Sequence, residues 1–268
     1  MRSLGRVLSV GIAFSLAVAG GVAAAPHADE RIVGGDVADP ADWPFMAALS
    51  TRGGSPFCGG SVVSADAVVT AGHCVMGTRP GQVRVVTGRP DLSDESAGEE
   101  LVVTQVSVHP KYRRRGFHDI AVLRLADPTS ATPVLLPTRP EGVAETAPGL
   151  EFRVAGWGGT ERTGAQPSDV LLDVAVFAIS DQDCRQYFNF YRPGEELCAF
   201  GEPQGGDRYD DSCYGDSGGP LVRNAASGAL LVGVVSYGGR LCGVREPGVY
   251  TRVADNRGWV RTKAGLRP

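Results

Sequence analysis

Beyond residue 31 the chain is a series of short, valine-rich apolar runs cut by Gly, Pro, Asp and Ser, and this punctuation leaves little room for long helices. Runs at 61–70, 83–87, 101–108, 120–125, 152–155, 170–179, 230–236 and 248–253 have strand length and strand composition. Branched side chains of this kind fit a pleated, half-buried surface. No long amphipathic helices alternate with the runs, which argues against a parallel α/β sheet. The exception is 255–264, which reads as a terminal helix. Antiparallel barrels or sandwiches follow, and the length suggests two of them. The stretch 127–140 carries four prolines between two strand-rich halves and is the best linker candidate. No internal repeat is visible at the residue level.

The 268 residues, 43% of them hydrophobic, can bury one large or two medium cores. The 37 glycines and 18 prolines favour many short elements joined by turns. A net charge of −4 with no long charged run gives no reason to expect a nucleic-acid partner.

The first 25 residues read as a secretory signal: Arg2 and Arg6 supply the positive start, and 7–22 is apolar with small residues. Gly21-Val22-Ala23 and Ala23-Ala24-Ala25 are both candidate cleavage sites; the first is preferred because the second leaves Pro26 just past the cut. Residues 1–23 are therefore read as the signal. A membrane anchor is the competing reading, but the stretch is short and rich in Gly, Ala and Ser.

The six cysteines fit an exported protein with three disulfides. Fifteen pairings are open, and spacing alone does not choose among them. A zinc site is the competing use. No Cys-x-x-Cys pair exists, and His73-Cys74 is the only His–Cys neighbour.

Gly215-Asp216-Ser217-Gly218-Gly219-Pro220 is the stretch richest in chemistry. Such a turn can lift a hydroxyl clear of the backbone and aim amide N–H groups at one point, as a nucleophile and its oxyanion site require. Alone, it could equally be a glycine-rich turn. Thr70-Ala71-Gly72-His73-Cys74 ends an apolar strand and tethers a histidine beside a cysteine. A single histidine is more often structural than catalytic; of the other three, His27 precedes the expected mature start, and His109 and His118 sit in turn-like settings. Asp119 opens the run Ile120-Ala121-Val122-Leu123-Arg124-Leu125. A carboxylate entering a buried strand needs a hydrogen-bond partner, which an imidazole N–H or a local backbone group would supply.

In the order His73, Asp119, Ser217, the chain resembles the trypsin-like serine proteases of the chymotrypsin family. The matching strings are Ile32-Val33-Gly34-Gly35, the 70–74 run, Asp119-Ile120-Ala121-Val122-Leu123, the 215–220 turn and Gly248-Val249-Tyr250-Thr251-Arg252-Val253. The likeness covers essentially all of 32–268. An α/β hydrolase could use the same Gly-x-Ser-x-Gly letters, but it needs Ser before Asp before His.

The resemblance implies an all-β fold: two packed six-stranded antiparallel Greek-key barrels, about 32–133 and 134–268, with a short C-terminal helix. It implies catalysis by His73, Asp119 and Ser217, with the N–H groups of Gly215 and Ser217 as the oxyanion hole. It implies the pairings Cys58–Cys74, Cys184–Cys198 and Cys213–Cys242. Cleavage after Arg31, ending a propeptide of 24–31, would free Ile32 to pair with Asp216. Asp211 would form the floor of the specificity pocket, with Gly238 and Gly248 on its walls and Ser236 beside it, giving cleavage after Arg or Lys. The expected product is a secreted monomer that needs no cofactor, acts on proteins or peptides, is open to protein inhibitors, and has no membrane attachment once its signal is removed. With 24 arginines against Lys111 and Lys263 alone, and abundant Ala, Val and Gly, the coding bias points to a bacterial source.

Three features depart from the family pattern. Tyr237 stands where Trp is usual, which bears on contacts with the residue preceding the cut. The loop 199–212 is a few residues longer than in typical trypsins. The acidic stretch 88–100, with Asp91, Asp94, Glu95, Glu99 and Glu100, lacks the spacing expected for a calcium loop and reads as a solvated turn. A catalytically dead homologue acting as a binding protein is the alternative function; such proteins usually lose a triad member, and all three are present.

Overall fold

The computed structural model describes residues 32–115, 117–138 and 146–267. The signal and propeptide readings, Arg31 included, lie outside these residues.

Twelve strands close into two barrels. The first contains β2 (Met46–Thr51), β3 (Pro56–Ser64), β4 (Ala67–Thr70), β5 (Val83–Thr87), β6 (Glu99–Val108) and β7 (Ala121–Leu125), in the order β2-β3-β4-β7-β6-β5. The second contains β8 (Glu151–Gly156), β9 (Leu172–Ala178), β10 (Glu196–Gly201), β11 (Pro220–Ala225), β12 (Gly228–Tyr237) and β13 (Gly248–Arg252), in the order β8-β9-β10-β13-β12-β11. The connectivity is the same Greek key in both, although no repeat is visible at the residue level. A short β1 (Asp36–Val37) pairs with β9 and so attaches the start of the chain to the second barrel.

Each barrel is filled by its own inward-facing side chains, as six strands of this size require. Leu49, Val62, Val68, Val69, Ile120 and Leu123 are fully buried in the first. Ile32, Phe152, Leu172, Leu221 and Tyr250 fill the second. Each such side chain contributes about 1.5–3 kcal/mol of burial.

The expected strands are found, with one subdivision: the run 61–70 is a hairpin, β3 and β4 turning at Ala65 and Asp66, because Ser64-Ala65-Asp66 interrupts the valines. β2, β10 and β11 carry no clear sequence signal. β2 reads Met-Ala-Ala-Leu-Ser-Thr, poor in branched residues, and takes its conformation from pairing on both edges, with β3 and β5.

Among the described residues the helices are α1 (Gly72–Val75), α2 (Pro110–Arg115), α3 (Asp181–Tyr187) and α4 (Val253–Lys263). α3 is capped by Ser180, whose hydroxyl accepts the Asp183 N–H at 3.1 Å, with Asp181 and Asp183 in its first turn. α4 starts two residues before the expected 255–264 and buries Val253, Ala254, Asn256 and Val260. Among the described residues no helix is long and apolar enough to cross a membrane.

The described part of the linker is strapped to both barrels: Val134 N–H donates to Val62 O at 2.9 Å, and Leu231 N–H to Leu135 O at 2.9 Å. Three disulfides join Cys58 to Cys74, Cys184 to Cys198 and Cys213 to Cys242, the pairing that the resemblance implies. On a chain-entropy model, each of the two shorter loops is worth roughly 3 kcal/mol.

Candidate active site

His73 lies in α1, just past the end of β4, and Asp119 lies just before β7, which pairs with β4. The strand pairing therefore brings two residues 46 positions apart into contact. Asp119 Oδ1 accepts the His73 backbone N–H at 2.8 Å, and Oδ2 meets His73 Nδ1 at 2.6 Å. A third donor, Ser236 Oγ on β12, reaches Oδ2 at 2.7 Å. Thr251 Oγ1 donates to the Asp119 carbonyl at 2.9 Å. The carboxylate is buried and its oxygens are satisfied, so the desolvation cost of placing it there is offset. The imidazole remains one-third exposed, leaving an edge open to a reacting group.

Ser217 comes from the turn before β11 and is carried to the first barrel by backbone contacts. Its carbonyl accepts the Gly59 N–H at 2.8 Å and lies 3.6 Å from Cys74 Sγ. Gly218, at φ 81°, presses against β4: a Cβ there would lie 2.2 Å from Thr70 Oγ1 and 2.6 Å from Gly59 O. Only glycine both adopts that φ and fits that gap. The Cys58 and Cys74 sulfurs lie near His73 but are bonded to each other, so neither is a thiolate for a metal.

Ser217 also lines a pocket together with Asp211, Ser212, Val235, Tyr237, Gly238 and Gly248. Asp211 lies at 3% exposure, and burial, with a smaller push from the Asp216 charge, lifts its carboxyl to about 8 against the hydrogen bonds it accepts from Ser212 and Gly243. A Cβ on Gly248 would lie 2.8 Å from Asp211 Oδ1, so the slot above the carboxylate exists because that wall is bare backbone. The expected floor and wall residues thus share one cavity with the serine. Ser236, expected beside the pocket, donates its hydroxyl to Asp119.

Asp216 is fully buried. Its Oδ1 accepts Gly158 N–H at 2.8 Å and its Oδ2 accepts Cys213 N–H at 2.7 Å. Burial outweighs these two donors and lifts its carboxyl to about 6. Ile32 is fully buried in the same barrel, and Val33 O accepts the Asp211 N–H at 3.1 Å. Gly215 is exposed beside the pocket mouth.

Two supports carry no motif. Tyr237, in place of the usual Trp, points its hydroxyl at the buried Glu196 Oε2 at 3.1 Å, and its ring packs edge-on to Phe188. Arg162 Nη1 lies within hydrogen-bond reach of the carbonyls of Tyr209, Cys242 and Gly243, bracing the loop that follows β10 behind the pocket. A lone arginine in a turn gives no sequence cue to such a role.

Two closed Greek-key barrels, with a hydrogen-bonded Asp–His pair from one and a serine turn from the other meeting beside a pocket, define a chymotrypsin-like hydrolase architecture. The family model described as Trypsin matches residues 32–260. The chain is 41% identical over 224 residues to a Trypsin of Saccharopolyspora erythraea, covering 83% of this chain and 93% of that one. It is 38% identical over 242 residues to Trypsin 5G1 of Aedes aegypti, covering 88% and 86% respectively. The chain belongs to the trypsin family of serine endopeptidases and acts on protein or peptide substrates.

Proposed function

We propose that this endopeptidase cuts after Arg or Lys, and that it is exported as an inactive precursor. The observation that carries the specificity is the buried Asp211 carboxylate in the pocket that also holds Ser217. A buried carboxylate in low dielectric favours a cationic guest, since an opposite charge offsets the desolvation that its hydrogen bonds leave uncompensated. A guanidinium would approach it as a fork, an ammonium as a point charge.

In this reading Ser217 Oγ attacks the scissile carbonyl carbon while His73 Nε2 takes its proton. The His73 Nδ1–H keeps donating to the Asp119 carboxylate, which fixes the tautomer and stabilises the imidazolium. The N–H groups of Gly215 and Ser217 receive the oxyanion. His73 then protonates the leaving amine, and water repeats the sequence to release the acyl group.

Activation follows from Asp216. Its carboxylate has backbone donors but no described countercharge, and a freed Ile32 ammonium would supply one. Burying either ion alone costs several kcal/mol, so the pair forms only after the cut at Arg31. The signal reading of 1–23 supports secretion. The enzyme is read as a monomer without further membrane attachment, and protein inhibitors offering Arg or Lys would use the same pocket.

The test is processed protein assayed on matched Arg, Lys, Phe and Ala peptide substrates beside Ser217→Ala. Cleavage after Arg and Lys alone, lost in the mutant, is expected. Efficient cleavage after Phe but not Arg overturns the specificity, and activity surviving in Ser217→Ala overturns the mechanism.

A further inference from the structure

The residue before Asp119 is a second buried histidine. His118 is 6% exposed and holds a left-handed φ of 57°, unusual for a side chain of its size. Its ring is gripped from three elements. Nδ1 lies 2.7 Å from Asn256 Oδ1 on α4. Nε2 lies 3.2 Å from Lys111 Nζ on α2. The same nitrogen lies 3.3 Å from Glu195 Oε1, in the turn entering β10.

These partners settle the tautomer. Asn256 spends its amide N–H on Arg252 O at 2.7 Å and turns its oxygen to His118, so Nδ1 carries the proton. A neutral ring therefore leaves Nε2 as a bare acceptor, suited to the Lys111 ammonium and opposed to the Glu195 carboxylate. A protonated ring reverses both preferences: Nε2–H donates to Glu195 and repels Lys111. One nitrogen thus faces two partners of opposite charge, and a single proton selects between them. Glu195 meets the ring through Oε1, and its other oxygen, Oε2, is buried without a hydrogen-bond partner among the described residues.

The surroundings contribute no competing switch. His109 stacks on His118 at 4.7 Å and packs edge-on to Trp259. Burial, then His118 and Lys111, depress His109 to about 4, so it stays neutral across the working range. Arg192 is engaged over the Phe117 ring at 4.2 Å, and Arg252 faces Asp181.

We propose that His118 is a proton-dependent positioning residue. Neutral and held by Lys111, it keeps Asp119 aimed at His73; protonation hands the ring to Glu195 and pulls the adjoining carboxylate out of register. This rests on the reading of Asp119 as the partner of the catalytic His73.

The experiment is the pH dependence of kcat for the processed enzyme on an Arg peptide, with His118→Asn and Glu195→Gln beside wild type. Asparagine tolerates the left-handed backbone, and the Glu195 side chain is 33% exposed, so that variant folds even where the first does not. The wild-type acid limb is expected to fall more steeply than one ionisation allows. Both variants should lose the second ionisation, with KM unchanged. A merely structural role would lower kcat at every pH and leave the slope alone. A single-ionisation limb in wild type, or a wild-type slope in Glu195→Gln, overturns the proposal. Activity surviving in Ser217→Ala would instead overturn the underlying mechanism.

Discussion

Ser236 on β12 donates its hydroxyl to Asp119, a first-barrel residue, at 2.7 Å. The carboxylate that orients His73 is thus itself oriented from the opposite barrel, so the quality of the His73–Asp119 pair depends on how the two barrels dock.

Ser236→Ala should therefore act on the chemical step. A hydrogen bond to a charged group is worth about 1.5–3 kcal/mol, so kcat should fall by roughly tenfold or more with KM little changed. Steady-state kinetics on an Arg peptide decides it; a change confined to KM would assign Ser236 to substrate binding alone.

Gly218→Ala should both unfold and inactivate. The added methyl meets Thr70 Oγ1 at 2.2 Å on a backbone at φ 81°. Gly77 is the control, since it has φ 87° but nothing within 4 Å of its Cβ position. Denaturant melts should show a loss of about 1–2 kcal/mol for Gly77→Ala, the left-handed penalty alone, and clearly more for Gly218→Ala. Equal losses would mean that the seam tolerates a side chain.

Asp211 should make stability depend on pH. Its carboxyl titrates near 8 when folded, against an ordinary 3.8. The native state binds the extra proton between these values, so this residue's contribution falls as pH rises from about 4 to about 8. Asp211→Asn should flatten that slope and be the more stable protein at pH 8, while losing cleavage after Arg. Benzamidinium should bind wild type more tightly as pH rises through the same window. Parallel urea melts at pH 5 and pH 8 test the sign; identical slopes in the two proteins would remove Asp211 as the titrating group.

Arg31→Gln should yield a precursor that trypsin-like enzymes cannot process and that stays nearly inactive. Wild-type material, by contrast, should gain activity as its amino terminus becomes Ile32, followed by terminal sequencing. Full activity in the unprocessed variant would rule out the switch.

The sequence is most legible where side chains impose the structure. Valine runs such as Val83–Thr87 form strands at the expected bounds. His73, Asp119 and Ser217 each sit in a local string that fixes a turn or a strand end. The alanine-rich β2 is opaque because its conformation comes from neighbours rather than from its own residues. The hydroxyl of Ser236 and the guanidinium of Arg162 are opaque for another reason. Their partners lie 117 and up to 81 positions away in the chain, and nothing local encodes where those partners fall. Tyr237 was readable as a departure, but its tie to Glu196 was not.

The Gly218 seam, where bare glycine backbone packs against Thr70 and Gly59 of the first barrel, also bears on how the molecule can be divided. His73 and Asp119 belong to one closed sheet and Ser217 to the other, so neither half carries a partial enzyme. A chain cut within the linker would regain activity only through noncovalent reassembly of its fragments, and the recovered rate would count docked pairs rather than folded barrels.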